Sequence, residues 1–98
     1  NLEMEISRFP NKLRSFRRRN GYSRKKVARV FGHADTGTLS RWERGILLPG
    51  TLQVFRLARI YHTLPHELFY ETWNDLENDE SLLTLDDESI NSIHPEYI

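Results

Sequence analysis

The first half of the chain contains three short amphipathic segments, each followed by a glycine. Their apolar residues recur at the spacing of one face of an α-helix. Gly21, Gly32 and Gly45 stand where each pattern stops, and glycine readily adopts the left-handed conformation that ends many helices. This pattern predicts three short helices joined by tight turns.

Capping residues set the expected bounds of these helices. The first runs from Asn11 to Asn20, with Leu13 and Phe16 on its apolar face. Ser23 is a good N-cap for the second, which extends to about Phe31, and Asp35 caps a third from Thr36 to Arg44. About three residues join the second and third helices. That geometry is typical of a helix-turn-helix, in which the second of the two helices faces outward.

The rest of the chain predicts two further helices and no strand pair. A fourth helix follows Pro49-Gly50, and Pro65 suits the first position of a fifth that continues to about Leu76. The apolar face of the fourth comprises Leu52, Phe55, Leu57, Ala58 and Tyr61, and that of the fifth Leu68, Phe69, Thr72, Trp73 and Leu76. We expect Trp42 and Trp73 both to point inward. The predicted fold is all-α: a compact five-helix domain over residues 8–76 and an acidic C-terminal extension over 77–98.

The two ends of the chain carry opposite charge, although the formal net charge is zero. All 14 Lys and Arg residues lie at or before Arg59, where four acidic residues oppose them, which leaves +10. From Ile60 onward there are ten acidic residues and no Lys or Arg, which gives −10. This separation suggests a surface for a polyanion, joined to a segment that solvates, inhibits or recruits.

The acidic extension shows no long regular pattern. Ser81 to Asp86 predicts a short strand or a helical turn, whereas Asp86-Asp87-Glu88 and the break at His94-Pro95 argue against a long element. We therefore expect an extension that is poorly ordered unless it docks. Its many apolar residues favour docking: Leu82, Leu83, Leu85, Ile90, Ile93, Tyr97 and Ile98.

Several classes of function have no support in the sequence. The chain has no cysteine, so it has neither disulfides nor thiolate metal sites. His62 and His66 are four positions apart, but Pro65 intervenes and no third ligand is near, so we expect no metal site. We identify no catalytic group, no cofactor site, no membrane span and no signal peptide. We expect the protein in the cytoplasm, which in a prokaryote includes the nucleoid.

The first turn of the second helix contains three adjacent cations, Arg24, Lys25 and Lys26. The helix dipole disfavours cations there by about 0.3 to 1 kcal/mol each, so folding alone would not select them. Cations at a helix N-terminus do suit a phosphate group. The alternative is an ordinary solvated basic face.

The segment Ser40-Arg41-Trp42-Glu43-Arg44-Gly45, followed by Pro49, by Leu57 to Tyr61 and by Glu67-Leu68-Phe69, resembles the lambda-repressor-like (Cro and xenobiotic-response-element type) helix-turn-helix family. The resemblance covers about residues 11–69. It implies a five-helix, DNA-binding transcription regulator with its third helix in the major groove. Two features depart from the family pattern: Arg24 stands where a phosphate-binding glutamine is usual, and the turn after Gly32 is one residue longer.

The outward face of the third helix supplies the expected DNA contacts, because Leu39 and Trp42 point inward. We expect Arg41 to bind a guanine through O6 and N7, a contact worth about 1 to 3 kcal/mol of discrimination. The remaining expected base contacts are Thr36, Gly37 and Thr38, and the expected phosphate contacts are Arg24, Lys25, Lys26, Ser40 and Arg44. Glu43 can instead pair with a neighbouring arginine and hold the helix end, and the roles of Arg14, Arg17, Arg18 and Arg19 stay open.

Three functional hypotheses follow. The leading one is a sequence-specific regulator of double-stranded DNA that binds a palindrome as a homodimer, with Trp73, Leu76 and the apolar extension as candidate dimer contacts. The alternative is a protein-interaction module, antitoxin-like or coactivator-like, that binds a protein partner through the acidic extension. In the third, the extension folds back over the basic surface and competes with DNA.

Overall fold

The computed structural model describes the backbone of residues 6–91 and the side chains of residues 6–85. Within this part of the chain there are seven helices and no strand: α1 (Leu13–Arg19), α2 (Arg24–Val30), α3 (Gly37–Glu43), α4 (Thr51–Ile60), α5 (Pro65–Leu68), α6 (Tyr70–Glu77) and α7 (Glu80–Asn91). The all-α prediction is confirmed. None of the described helices is long and apolar enough to cross a membrane.

The first three helices begin and end close to the predicted residues. Gly21, Gly32 and Gly45 all have positive φ, between 74° and 75°. The Ser23 hydroxyl accepts a hydrogen bond from the Lys26 N–H at 3.0 Å, as expected for an N-cap. The third helix begins at Gly37, one residue later than predicted. The Asp35 carboxylate accepts a bond from the Gly37 N–H at 2.8 Å, which is a contact expected of a capping residue.

The connection between α2 and α3 is longer than predicted. It comprises the six residues 31–36, whereas the sequence suggested about three. α2 ends at Val30, after which Gly32 reverses the chain and the His33 N–H donates to the carbonyl of Ala28 at 2.9 Å. The His33 ring then lies against Phe31 and Trp42, with ring centroids 5.9 and 5.6 Å away, so the longer turn is anchored to the core.

The helices α1 to α5 pack around one hydrophobic core. Its buried members are Leu13, Val27, Phe31, Leu39, Trp42, Leu57, Ala58, Tyr61 and Leu68. The predicted inward positions of Leu39 and Trp42 are confirmed. On α4 only the C-terminal half faces this core, so the prediction was wrong for Leu52 and Phe55, which are 66% and 52% exposed.

The predicted fifth helix is divided at Phe69, whose φ of −122° and ψ of 48° are not helical. The carbonyl of Leu68 accepts a bond from the Lys12 N–H at 2.8 Å, so it is used by the N-terminal segment instead of by a continuing helix. α6 therefore leaves in a new direction and has no buried residue. The inward position predicted for Trp73 was wrong, because its side chain is 57% exposed, and Leu76 is 45% exposed.

The acidic extension contains a helix. α7 runs for twelve residues from Glu80 to Asn91, so the expected strand or single helical turn near Ser81, and the argument against a long element, were wrong. The Asp79 carboxylate accepts a bond from the Ser81 N–H at 2.9 Å and starts this helix, and hydrogen bonds from Ser81 lower the pKa of Asp79. α7 packs against α6. The predicted docking side chains Ile90, Ile93, Tyr97 and Ile98 lie outside the described residues.

Candidate nucleic-acid interface

The outward face of α3 is polar and basic. Leu39 and Trp42 anchor the helix, because only 1% and 5% of these residues is exposed. The opposite face contains the predicted DNA-contacting residues: Arg41 and Arg44 are exposed, and Thr36, Gly37, Thr38 and Ser40 are partly exposed. Packing of α3 against α1 and α2 therefore leaves all six at least partly exposed.

The Arg41 guanidinium lies beside Gly37. A Cβ atom at position 37 would lie 3.5 and 3.7 Å from Nη1 and Nη2 of Arg41, and 3.0 Å from Oδ1 of Asp35. Arg41 therefore extends back along α3, within ordinary van der Waals distance of that Cβ position, and only the contact with Asp35 would be tight. Its guanidinium forms no ion pair with any residue in 6–85.

Glu43 is buried in an ion-pair cluster that joins three helices. Its Oε2 accepts a bond from Nε of Arg17 at 2.6 Å, and its Oε1 accepts one from Nε of Arg24 at 2.9 Å. The Glu43 and Arg17 side chains are 1% and 8% exposed, and Nη1 of Arg17 also donates to the carbonyl of Tyr22 at 2.8 Å. Glu43 thus links the end of α3 to α1 and α2.

Tyr61 lies in the core near this cluster. Its hydroxyl is buried and has no hydrogen-bond partner among the described residues. Burial raises the pKa of Tyr61, the negative charge of Glu43 raises it further, and the positive charge of Arg17 partly offsets both effects. The hydroxyl is therefore neutral under ordinary conditions.

The three cations of α2 lie in different environments. Lys25 and Lys26 are exposed, and Nζ of Lys26 lies 5.2 Å from the centre of the Tyr22 ring. Arg24 has a 36% exposed side chain whose Nε is bonded to Glu43. This arrangement fixes the base of the Arg24 guanidinium while part of it remains at the surface.

An N-terminal latch, which we define as residues 7–11, crosses the C-terminal end of α3. The N–H groups of Arg8 and Phe9 donate to the carbonyl of Gly45 at 2.9 and 3.0 Å. The Asn11 amide donates to the carbonyl of Trp42 at 2.8 Å. The latch passes so close that a Cβ at Gly45 would lie 2.7 Å from the carbonyl oxygen of Phe9. It therefore restrains the position of α3 relative to α1.

Comparison with known families agrees with this arrangement. A family model described as helix-turn-helix matches residues 13–69, which is more than half of the chain and spans α1 to the end of α5. The chain belongs to the lambda-repressor-like helix-turn-helix family. No curated protein and no solved structure shows significant similarity to the chain. Members of this family are DNA-binding domains of transcription regulators. The matched segment ends before α6 and α7.

Within this helix-turn-helix domain, sequence reasoning missed two structural roles. It left Arg17 undecided among four arginines of the first helix, and the structure shows it buried against Glu43. It gave Asn11 only the first position of that helix, although the side chain links α1 to α3. One signal was available for the first role: besides Asp35, Glu43 is the only acidic residue between Arg8 and Arg59.

Proposed function

We propose that this chain regulates transcription by binding double-stranded DNA sequence-specifically, with α3 in the major groove. The observation that carries the proposal is the separation of charge on α3. Its one acidic residue, Glu43, is buried and paired with Arg17 and Arg24, whereas Arg41 is exposed on the outward face. An α-helix fits the major groove, and this one presents a cation to the DNA without an adjacent exposed carboxylate on the same helix.

Arg41 is the principal base-reading residue in this proposal. Its guanidinium donates two parallel hydrogen bonds to O6 and N7 of a guanine. Thr36 and Thr38 offer a hydroxyl or a methyl group to neighbouring bases. Gly37 has no side chain, so it either allows close approach of the helix backbone to the DNA or leaves one base pair unread.

The phosphate contacts flank this base-reading face. Lys25 and Lys26 supply exposed positive charge from α2, and Arg44 supplies it just after α3. Ser40 contributes a neutral hydroxyl that can donate a hydrogen bond to phosphate. Arg24 binds phosphate through the exposed part of its guanidinium while Nε stays on Glu43. Such contacts fix the register of the protein on DNA without reading sequence. Two copies bind a palindrome as a homodimer, in a prokaryotic cytoplasm or nucleoid.

The test is selection of bound sequences from a random duplex library, followed by affinity measurements on the selected site at several salt concentrations. The logarithm of the binding constant should fall with the logarithm of salt by about 0.9 per phosphate contact. A palindromic selected site, with half-sites about 34 to 36 Å apart, supports the homodimer. Absence of any duplex binding at low salt contradicts the proposal.

Three single variants separate the roles. Arg41→Ala should weaken binding to the selected site and relax the base preference at one position, by about 1 to 3 kcal/mol. Lys25→Ala should weaken binding to all sequences alike and reduce the salt slope by about one. Arg59→Ala is the matched control, because this exposed arginine lies on α4 beside His62 and Glu67, away from α3. If Arg41→Ala behaves like Arg59→Ala, Arg41 is not the base reader.

A further inference from the structure

A groove with an apolar lining crosses the C-terminal helices, at and beyond the end of the matched family segment. The α5–α7 groove has a volume of about 390 Å³ and is lined by Pro65, His66, Phe69, Thr72, Trp73 and Leu76. It continues past Trp73 and Leu76 to Leu82 of α7, with Glu77 at its edge. The centroids of the His66 and Trp73 rings are 5.3 Å apart, and both rings form part of the groove wall.

This groove has no cover within the described residues. α6 has no buried residue, and Trp73, Leu76 and Leu82 are 57%, 45% and 48% exposed. Trp73 and Leu76 nevertheless lie three positions apart on one face of α6, which is the spacing of a surface that packs against another helix. An isolated helix of this length is marginal in water, so packing of this face against a partner would also stabilise α6.

The charge around the groove selects the kind of partner. Asp75 and Glu77 are exposed on opposite sides of the apolar stripe of α6, as the helical period requires. The chain has no Lys or Arg after Arg59. Lys12 reaches Tyr70 at the start of α6, where its Nζ lies 4.9 Å from the ring centre, but Tyr70 is not part of the groove lining.

A second copy of this chain fits the groove poorly. Symmetric pairing through α6 would place Asp75 and Glu77 of one copy close to the same acidic residues of the other, and like charges repel. The basic helices cannot fill the groove either, because Leu13, Val27 and Leu57 already place their apolar faces in the core. The acidic residues beside the groove therefore suit a basic occupant from a different protein.

We infer that the α5–α7 groove is the docking site for a basic amphipathic helix of a partner protein. Apolar side chains of that helix contact Trp73 and Leu76, and its Lys or Arg residues pair with Asp75 and Glu77. This is the helix-in-groove mode of recognition. It does not depend on the proposed DNA contacts, which lie on α2 and α3.

The experiment uses the full chain without DNA, so that its outcome is separate from the test of DNA binding. The probe is a synthetic Leu/Lys peptide of about 18 residues, long enough to form a helix, with leucines on one face and no Trp or Tyr. One control peptide keeps the leucine pattern and has Glu in place of Lys. The other has the same composition as the probe, but its leucines are dispersed over all faces of the helix. Peptide binding is measured by anisotropy of a label and by Trp emission.

We expect the Leu/Lys peptide to shift Trp emission to shorter wavelength, because Trp73 becomes covered while Trp42 is already buried. Both control peptides should bind at least about tenfold more weakly. Leu76→Ala should weaken binding by about tenfold, whereas Leu52→Ala, an equally simple truncation of an exposed leucine on α4, should not change it. The double variant Asp75→Lys/Glu77→Lys should bind the Glu peptide in preference to the Lys peptide.

Four results would overturn the inference. Equal binding of the dispersed peptide, or no effect of Leu76→Ala, would mean that charge alone attracts the probe. Sedimentation that shows a dimer of the full chain, lost in Trp73→Lys, would assign the groove to a second copy. Stronger peptide binding and redder Trp emission in a chain ending at Asn91 would assign it to residues 92–98.

Discussion

Trp42 and Trp73 occupy similar positions in the sequence pattern and opposite environments in the structure. Each lies on the apolar face of a short helix, yet Trp42 is 5% exposed and Trp73 is 57% exposed. α3 packs against α1 and α2, and the N-terminal latch and the Glu43 cluster fasten it there. α6 packs against α5 and α7 but buries no residue. Helical periodicity therefore identifies an apolar face, but it does not show whether the chain itself covers that face.

Replacement of each tryptophan tests this difference directly. Trp42→Ala should lower the free energy of unfolding by about 3 to 5 kcal/mol, because it leaves a cavity in the core. Trp73→Ala should change it by about 0.5 kcal/mol or less, as for most surface substitutions. Both values can be measured by urea unfolding. Similar losses for the two variants would show that the Trp73 face is covered in solution.

Glu43 provides the next largest effect. Glu43→Gln should cost about 3 kcal/mol, because Arg17 would remain buried without a counter-charge. The double variant Arg17→Met/Glu43→Leu should lose less than Glu43→Gln alone, since no buried charge is then left unpaired. Urea unfolding of both variants measures this. A double variant that is the less stable of the two would mean that the ion pair itself, and not the unpaired charge, sets the cost.

Gly45→Ala tests the latch over the end of α3. Gly45 and Gly21 have almost the same φ, 74° and 75°, so alanine should cost about 1 to 2 kcal/mol at either position for that reason alone. Only at Gly45 would the new Cβ also meet the latch, 2.7 Å from the Phe9 carbonyl oxygen, whereas nothing lies within 4 Å at Gly21. Thermal unfolding should show the larger loss for Gly45→Ala. Equal losses would show that the latch yields without cost.

Tyr61→Phe should have the smallest effect near neutral pH, within about 1 kcal/mol, because the buried hydroxyl has no partner to lose. The pKa of Tyr61 is raised in the folded state, so its contribution to stability is complete below the unfolded pKa of about 10 and is lost as pH rises above it. The wild type should therefore lose stability above pH 10 faster than Tyr61→Phe. Parallel pH profiles would mean that the hydroxyl ionises in the folded state as freely as in the unfolded one.

Local signals predicted the helix-turn-helix domain well. Glycine positions, the Ser23 cap and the spacing of Leu39 and Trp42 act over a few residues, so they can be read along the chain and define α1 to α3. The same signals indicated which side of α3 faces outward. They also identified the residues of the candidate interface. The contacts of Arg41 and its neighbours with DNA stay a prediction.

Contacts between distant residues could not be read in this way. The division at Phe69 depends on a hydrogen bond from Lys12 to Leu68, and the burial of Arg17 and Glu43 depends on atoms 26 positions apart in the chain. An arginine inside a basic run has the same local pattern whether it faces water or a buried carboxylate. Only the packing of the helices distinguishes the two.

The sequence by itself is sufficient to predict the capped helices, the apolar faces and the separation of positive from negative charge. Each of these depends on neighbouring residues or on composition. Which apolar faces are covered, which arginines are structural and where the fifth predicted helix divides are set by the fold. These outcomes depend on competition among groups that meet only after the chain has folded, as when the Leu68 carbonyl accepts its bond from Lys12.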